Sequence, residues 1–258
     1  MRILLSNDDG ILAPGLAALR SAVADMGEVT VVAPDSPRSA AGHAITLEHP
    51  LTVQQVHIGG AEKFAAISVD GSPADCVRLA VISLLDNRPD LVLAGINAGA
   101  NVGINVFYSG TVAAAAEAVM LRLPAVAFSV AMTTGEVDFD RAGRLCRCVL
   151  DALLEHGLSG TELINVNIPE LRAGWPRGVR VCAQSTAGVQ DVYHKRVDAQ
   201  GREVYKISDE FAFAEPHQES DVVCLAEGYI TVTPLHVDMT SRESLPKLSK
   251  CRWGEMPD

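Results

Sequence analysis

Basic residues are scarce in this chain. Of its 258 residues, 21 are lysine or arginine and 32 are aspartate or glutamate, which gives a formal net charge of -11 at pH 7. Proteins that bind nucleic-acid polymers present basic patches to the phosphate backbone, and nothing in this balance builds one. The composition therefore predicts no nucleic-acid polymer as a partner. A phosphate monoester remains a possible ligand, because a bound cation can supply positive charge locally.

Long apolar runs are missing as well. The Ala-rich stretch from Val112 to Met120 is interrupted by Glu117, so it falls short of the ~20 apolar residues that a membrane helix needs. Only three apolar residues separate Arg2 from Ser6, far fewer than a signal peptide requires. These absences predict a cytoplasmic protein that does not enter a membrane.

Closely spaced cysteine pairs of the metal-binding kind are absent. The six cysteines form no C-x-x-C motif and are scattered along the chain: Cys76, Cys146, Cys148, Cys182, Cys224 and Cys251. Cys146 and Cys148 lie two apart in a predicted helix, where such side chains point to different faces. The pattern predicts reduced thiols rather than a disulfide framework or a zinc site.

What the first part of the chain does contain is an alternation of short apolar strands and helical segments. The predicted strands are Ile3–Ser6, Val29–Ala33, Leu51–His57, Phe64–Val69, Asp90–Gly95, Ala125–Val130, Leu163–Ile168 and Val179–Ala183. The predicted helices are Leu16–Met26, Ala74–Leu85, Thr111–Leu121 and Phe139–His156. This order is typical of an α/β fold, in which a mostly parallel sheet carries helices on both faces.

The pattern changes after about Gln184. The segment Val189–Ile207 alternates around a turn at Asp198–Gly201, which predicts a hairpin, and Tyr229–Pro234 and Arg242–Lys250 predict a strand and a short helix. A protruding hairpin has little core of its own to bury, so we expect it to be an oligomerisation arm. The chain is thus predicted to comprise a catalytic core, 1–184, and a C-terminal hairpin and oligomerisation segment, 185–258, within one structural unit.

Three polar clusters follow predicted strands. They are Asn7–Gly10 after the first strand, Asp35–Ser39 after the second, and Asn97 with Asn101 and Asn105 after Asp90–Gly95. Ligands of an open parallel sheet bind at the carboxyl ends of its strands. We therefore expect these clusters to lie together at one edge of the sheet.

The neighbouring carboxylates Asp8 and Asp9 repel each other unless a cation neutralises them. Together with a serine hydroxyl and an asparagine carbonyl, they offer the oxygen ligands that Mg²⁺ or Mn²⁺ prefers, and not those of zinc. A simple turn with an N-cap is the alternative interpretation, since Asp and Gly are common in turns.

The segment Tyr108–Val112 opens a predicted helix. Free backbone N–H groups at Ser109, Gly110 and Thr111, flanked by two hydroxyls, are typical of an anion site, and a plain Ser or Thr cap is the alternative. A cation beside an anion-binding helix terminus is what phosphoryl transfer needs. The P-loop motif and the G-x-G-x-x-G motif are both absent, which argues against an ATPase and a nicotinamide-dependent dehydrogenase.

His43, four residues beyond Ser39, is a candidate catalytic residue. It could donate a proton to the leaving group or orient the phosphate. An ordinary hydrogen-bonding role is the alternative for a histidine in such a loop.

Six sequence blocks, in order, resemble the SurE family, the survival-protein-E 5′/3′-nucleotidases. They are Ile3–Gly10, Gly71–Val77, Gly95–Gly103, Tyr108–Glu117, Asn165–Pro169 and Gly228–Leu235. The resemblance runs over nearly the whole chain. It implies a Rossmann-like core, a C-terminal arm exchanged between subunits, and homodimers or homotetramers. It also implies one divalent ion per subunit, held by positions matching Asp8, Asp9, Ser39 and Asn97, with nucleoside 5′- or 3′-monophosphates as substrates and short polyphosphate as a substrate of some members.

The chain departs from the usual family pattern at three positions. Asn105 replaces a usual acidic residue, Ile104 replaces a commonly polar one, and Ala118 follows Glu117 in place of a glycine. None of these is a predicted metal ligand, so the departures bear on substrate preference and loop mobility. Two alternative functions remain: a non-catalytic nucleotide-binding regulatory module, and a nucleoside hydrolase that would release free base instead of phosphate.

Overall fold

The computed structural model describes residues 1–38, 40–58, 64–132, 136–158, 162–188, 192–207 and 213–254. The strands are β1 (Arg2–Ser6), β2 (Glu28–Pro34), β3 (Val53–Ile58), β4 (Phe64–Val69), β5 (Leu91–Ala98), β6 (Ala125–Val130), β7 (Leu163–Ile168), β8 (Val179–Val181), β9 (Tyr193–Val197), β10 (Glu203–Ile207) and β11 (Ile230–Leu235). The α-helices are α1 (Pro14–Val23), α2 (Pro73–Leu79), α3 (Gly110–Met120), α4 (Phe139–Glu155), α5 (Asp221–Ala226) and α6 (Leu245–Leu248). A π-helical turn (Ala80–Leu84) extends α2, and a 3₁₀ turn (Gly103–Phe107) precedes α3.

The main sheet has its strands in the order β3-β4-β2-β1-β5-β6-β7-β11-β8. The six central strands from β4 to β7 are parallel, whereas β3 and β11 run antiparallel to their neighbours β4 and β7. Strands β9 and β10 form a separate antiparallel hairpin. This is the predicted Rossmann-like α/β fold with an appended hairpin.

Alternate residues of the central strands face two apolar layers. On one side, Ile3 and Leu5 pack in the layer that contains Leu16 of α1 and Leu150 of α4. On the other side, Leu4 packs in the layer that contains Val77 and Ala114 of α2 and α3. Because side chains alternate across a strand, one short apolar run supplies both layers. Both faces of the parallel core are therefore covered by helices, as predicted.

Element types were predicted more accurately than their limits. The expected helix Ala74–Leu85 is α2 followed by the π-helical turn, the expected helix Arg242–Lys250 is limited to α6, and α5 was not predicted. The hairpin prediction is confirmed, with Gly201 in the turn at a φ of 77°, although Val189 lies outside the described residues. A six-residue helix such as α5 is too short to show a clear period in the sequence.

Two further observations concern membrane-spanning helices and the cysteines. No helix among the described residues is long and apolar enough to cross a membrane. All six cysteines are free, and four of them are buried: Cys76, Cys146, Cys182 and Cys224.

Candidate functional site

The loops after β1 and β2 lie against each other at the carboxyl edge of the sheet. Ile11 N donates to Pro34 O at 2.7 Å, and Arg38 N donates to Asp8 O at 2.8 Å. Gly10 turns the chain between them with a φ of 96°, in the left-handed region that favours glycine. The first two polar clusters therefore meet, as the parallel pairing of β1 and β2 requires.

Asp8 links this edge to the amino end of α3. Its side chain is buried, and Thr111 Oγ1 donates a hydrogen bond to Asp8 Oδ1. The approach is close enough that a Cβ on Gly110 would lie 2.7 Å from Asp8 Cβ. Any side chain at residue 110 would therefore displace the carboxylate, which explains the glycine.

Asp9 reaches the third cluster. Ala98 N donates to Asp9 Oδ2 at 3.1 Å, which places the carboxylate beside Asn97 at the end of β5. Asn97 lies within β5, whereas the sequence predicted that it would follow the strand. The strand is longer than expected because its pairing with β6 resumes at Asn97 after a register irregularity that begins at Ala94. The Asn97 amide nitrogen donates to Gly99 O at 2.7 Å, so its carbonyl oxygen is the atom left for a ligand.

Burial dominates the electrostatics of both carboxylates. Desolvation raises the pKa of Asp8, the neighbouring Asp9 raises it further, and the bond from Thr111 opposes the shift. Desolvation likewise raises the pKa of Asp9, against the bond from Ala98 N. Two neighbouring carboxylates with raised pKa values favour a nearby cation, because its charge offsets the cost of burying their ionised forms.

The predicted anion site at the start of α3 is partly engaged by the protein itself. Ser109 is buried and its Oγ accepts from Val112 N at 3.1 Å, so it caps the helix, and the Thr111 hydroxyl is bound to Asp8. Within the described residues, no hydrogen bond engages Gly110 N. The donors left for an anion are thus Gly110 N–H and the Ser109 O–H.

His43 lies in a segment, 40–46, that runs along α2 and α3. Its Nε2 is 2.8 Å from Glu117 Oε2, and Glu117 is 1% exposed. A carboxylate only accepts, so Nε2 is the protonated nitrogen of this contact and Nδ1 is the one left for a substrate. In the sequence, Glu117 stood out as a break in the Ala-rich stretch and as part of a family block, and nothing indicated that it would meet His43.

The other residues of the second and third polar clusters are not all available to a ligand. Ser39 lies outside the described residues. Asn101 is held in a buried amide network, in which its N–H donates to Asn167 Oδ1 at 2.7 Å and Asn165 Nδ2 donates to its carbonyl at 2.8 Å. Asn105 Oδ1 is buried and has no hydrogen-bond partner among the described residues. The sequence indicated a strand and a family block at Asn165–Pro169 but no role for its amides, which help to fix the loop after β5.

The donor set fits a hard divalent cation. Asp8 and Asp9 provide two carboxylates and Asn97 a carbonyl oxygen, all at one edge of the sheet. Among the described residues, no group of three or more His, Cys, Asp or Glu side chains is arranged as a metal site. A site built here must therefore use neutral oxygens beside the two carboxylates, which suits Mg²⁺ or Mn²⁺.

Known proteins match this chain over most or all of its length. The family model described as survival protein SurE matches residues 3–191. A protein of Thermus thermophilus named 5′-nucleotidase SurE 1 is 43% identical over 258 residues, covering 100% of each chain. One from Symbiobacterium thermophilum, named 5′-nucleotidase SurE, is 44% identical over 248 residues, covering 95% of this chain and 96% of the relative. The crystal structure of the SurE protein from Aquifex aeolicus superimposes with a TM-score of 0.81 at 35% identity, covering 96% of this chain and 98% of that one.

Proposed function

The chain belongs to the SurE family, and from that premise we propose that it is a divalent-metal-dependent phosphomonoesterase acting on nucleoside monophosphates. The Thermus and Symbiobacterium relatives both bear the name 5′-nucleotidase, which supports this enzyme class. The reaction takes water and a nucleoside 5′-monophosphate, breaks the ester P–O bond and releases a nucleoside and phosphate. Hydrolysis of 3′-monophosphates is part of the same proposal.

The observation that carries the proposal is the position of Asp8. This buried carboxylate contacts the first turn of α3 through Thr111, while Asp9 contacts the end of β5. A cation held by Asp8, Asp9 and Asn97, with Ser39 as the fourth predicted ligand, would stand beside the donors at Ser109 and Gly110. When bound, such a cation neutralises charge that builds up on the phosphoryl oxygens.

The residues of the chain have separate tasks in this proposal. Gly110 N–H and the Ser109 hydroxyl orient the phosphoryl group, and the positive end of the α3 dipole favours its charge. Thr111 fixes Asp8 rather than the substrate. His43, held at Nε2 by Glu117, has Nδ1 left to hydrogen-bond a phosphate oxygen or to pass a proton to the leaving alkoxide.

The assembly and location belong to the same proposal. We expect one Mg²⁺ or Mn²⁺ per subunit, a homodimer or homotetramer joined partly by the hairpin of β9 and β10, and a cytoplasmic location. Large exposed apolar side chains on the hairpin, among them Tyr193, Val197 and Tyr205, support the oligomer.

A phosphate-release assay tests the function directly. Nucleoside 5′- and 3′-monophosphates are offered with Mg²⁺, with Mn²⁺, or after exhaustive treatment with EDTA. We expect phosphate release only with metal, restored when metal is returned. Undiminished turnover after chelation would rule out the metal mechanism. Release of free base would indicate a nucleoside hydrolase, and binding without turnover would indicate a regulatory module.

A further inference from the structure

A carboxylate is buried in the middle of the apolar helix α3. Residues Val112–Val119 are all buried and are alanine or valine apart from Glu117, whose exposed fraction is 1%. Taking a charge out of water is costly even when it is paired, and alanine is the best helix former for such a position. Stability alone therefore does not account for a glutamate at this point.

Two basic side chains from different segments meet this carboxylate. His43 Nε2 is 2.8 Å from Glu117 Oε2, and Arg78 Nη2, from α2, is 2.7 Å from Oε1. The Arg78 contact has the distance of an ion pair without the geometry of a hydrogen bond, and Oε1 has no hydrogen-bond partner in the part of the chain that the structure describes. The hydrogen bond of Glu117 is thus directed to His43.

The segment that carries His43, 40–46, contains no helix or strand, so side-chain and single backbone contacts determine its position. Gly42 N donates to Tyr108 O at 3.1 Å, just before α3, and Ser72 Oγ donates to Ala44 O at 2.6 Å. Thr46 is bound to Asp75 through its backbone N and its hydroxyl, at 2.9 and 2.7 Å. Between these anchors, His43 is the point at which the segment is tied to the middle of α3.

We propose that Glu117 is a positioning residue which, through His43, seats segment 40–46 against α3 beside the phosphate donors. Its effect on turnover rests on the proposed function, whereas its effect on the segment does not. The same helix presents Ser109 and Gly110 in its first turn and Glu117 two turns later. One rigid element therefore carries both the phosphate donors and the carboxylate that holds His43.

Three variants test the proposal: Glu117→Met, His43→Ala, and the double variant. Glu117→Met keeps the length of the side chain and its helix propensity but cannot accept the hydrogen bond from His43. Hydrogen exchange of the metal-free protein is measured for amides 40–46. We expect exchange there to accelerate at least about tenfold in each single variant. The double variant should show no further change, because each substitution removes the same contact between His43 and Glu117.

Turnover provides the second readout. We expect kcat to fall about tenfold in Glu117→Met while KM changes less than about twofold, because the phosphate donors on α3 are untouched. Glu117→Gln keeps an oxygen that can accept from Nε2, so it should recover much of the loss. Asp221→Asn is the matched control: it alters another fully buried carboxylate, which holds Gly103 N and Ser185 N, and should leave exchange at 40–46 unchanged.

The outcomes separate the two proposals. If the wild type is inactive on monophosphates, the proposed function fails while the exchange result still tests the role of Glu117. If the wild type is active and Glu117→Met leaves exchange at 40–46 and kcat unchanged, the positioning role is overturned. Additive effects of Glu117→Met and His43→Ala would also overturn it, since the two residues would then act independently.

Discussion

Single residues of the site are distinguished by the charge that each brings to a cation. Asp8 and Asp9 carry full charges, whereas Ser39 and Asn97 offer neutral dipoles. Asp9→Asn keeps the shape and one oxygen but removes a charge. We expect it to lower kcat/KM at least about a hundredfold, or roughly 2.7 kcal/mol of transition-state stabilisation.

Ser39→Ala is the comparison for Asp9→Asn, and kcat/KM is measured against Mn²⁺ concentration for both variants. The serine variant should lose less activity and be rescued more readily by excess Mn²⁺. If Asp9→Asn performed as well as the wild type, the metal site would be elsewhere, and the loop would be the turn that its composition also allows.

The raised pKa values of Asp8 and Asp9 predict how the metal-free protein responds to pH. Burial raises both above the ordinary value of 3.8, so the folded state holds these protons more tightly than the unfolded state. The stability that results is present at low pH and is lost as the pH rises through the folded pKa values.

Asp8→Asn removes one such group and still offers an oxygen to Thr111. In EDTA, the variant should therefore unfold at a higher temperature than the wild type at about pH 7, and the difference should shrink toward about pH 4. Thermal unfolding across this range measures it, and a variant that is less stable at every pH would contradict the prediction.

Among the elements, α3 connects both halves of the site. Its first turn presents Ser109 and Gly110, and Thr111 in the same turn holds Asp8. Ser109→Ala should weaken competition by inorganic phosphate or vanadate while leaving the Mn²⁺ requirement unchanged. Thr111→Val should instead raise the half-saturating Mn²⁺ concentration, because it frees Asp8.

Inhibition constants for phosphate and half-saturating Mn²⁺ concentrations, measured for the two variants side by side, check this division. Unchanged phosphate inhibition in Ser109→Ala would place the anion site outside α3. The contrast between the two variants was not predictable from sequence, where both hydroxyls appeared equally suited to phosphate.

At the scale of the whole molecule, we expect the hairpin of β9 and β10 to join the subunits of a homo-oligomer. Tyr193, Val197, Val204 and Tyr205 are all at least 40% exposed, and the hairpin is not part of the main sheet. A protein in which residues 193–207 are replaced by a short Gly-Ser linker should sediment as a smaller species than the full chain.

The double variant Tyr193→Ser and Tyr205→Ser gives a milder test, because the hairpin backbone is kept. It should weaken association without changing the circular dichroism of the core. An intact chain that is already monomeric at micromolar concentration would contradict the arm interpretation.

Much of this architecture could be predicted from the local sequence. Ile3–Ser6 and Ala125–Val130 are short apolar runs bounded by polar or turn residues, and each forms a buried strand close to its predicted limits. The meeting of the Asp8 loop with the loop after β2 was also predictable, because neighbouring parallel strands end at the same edge. Hydrophobic periodicity and chain direction are local properties, and they determine both results.

Tertiary structure alone decided which polar groups face one another. The Thr111 hydroxyl is bound to Asp8, although the two residues are separated by 103 positions, and Glu117 meets His43 across 74. Such pairs depend on how α3 and the loops after β1 and β2 pack on the sheet. A single sequence records only residue types and their order, so it identified Asp8, His43 and Thr111 as candidates but not the contacts that assign their tasks.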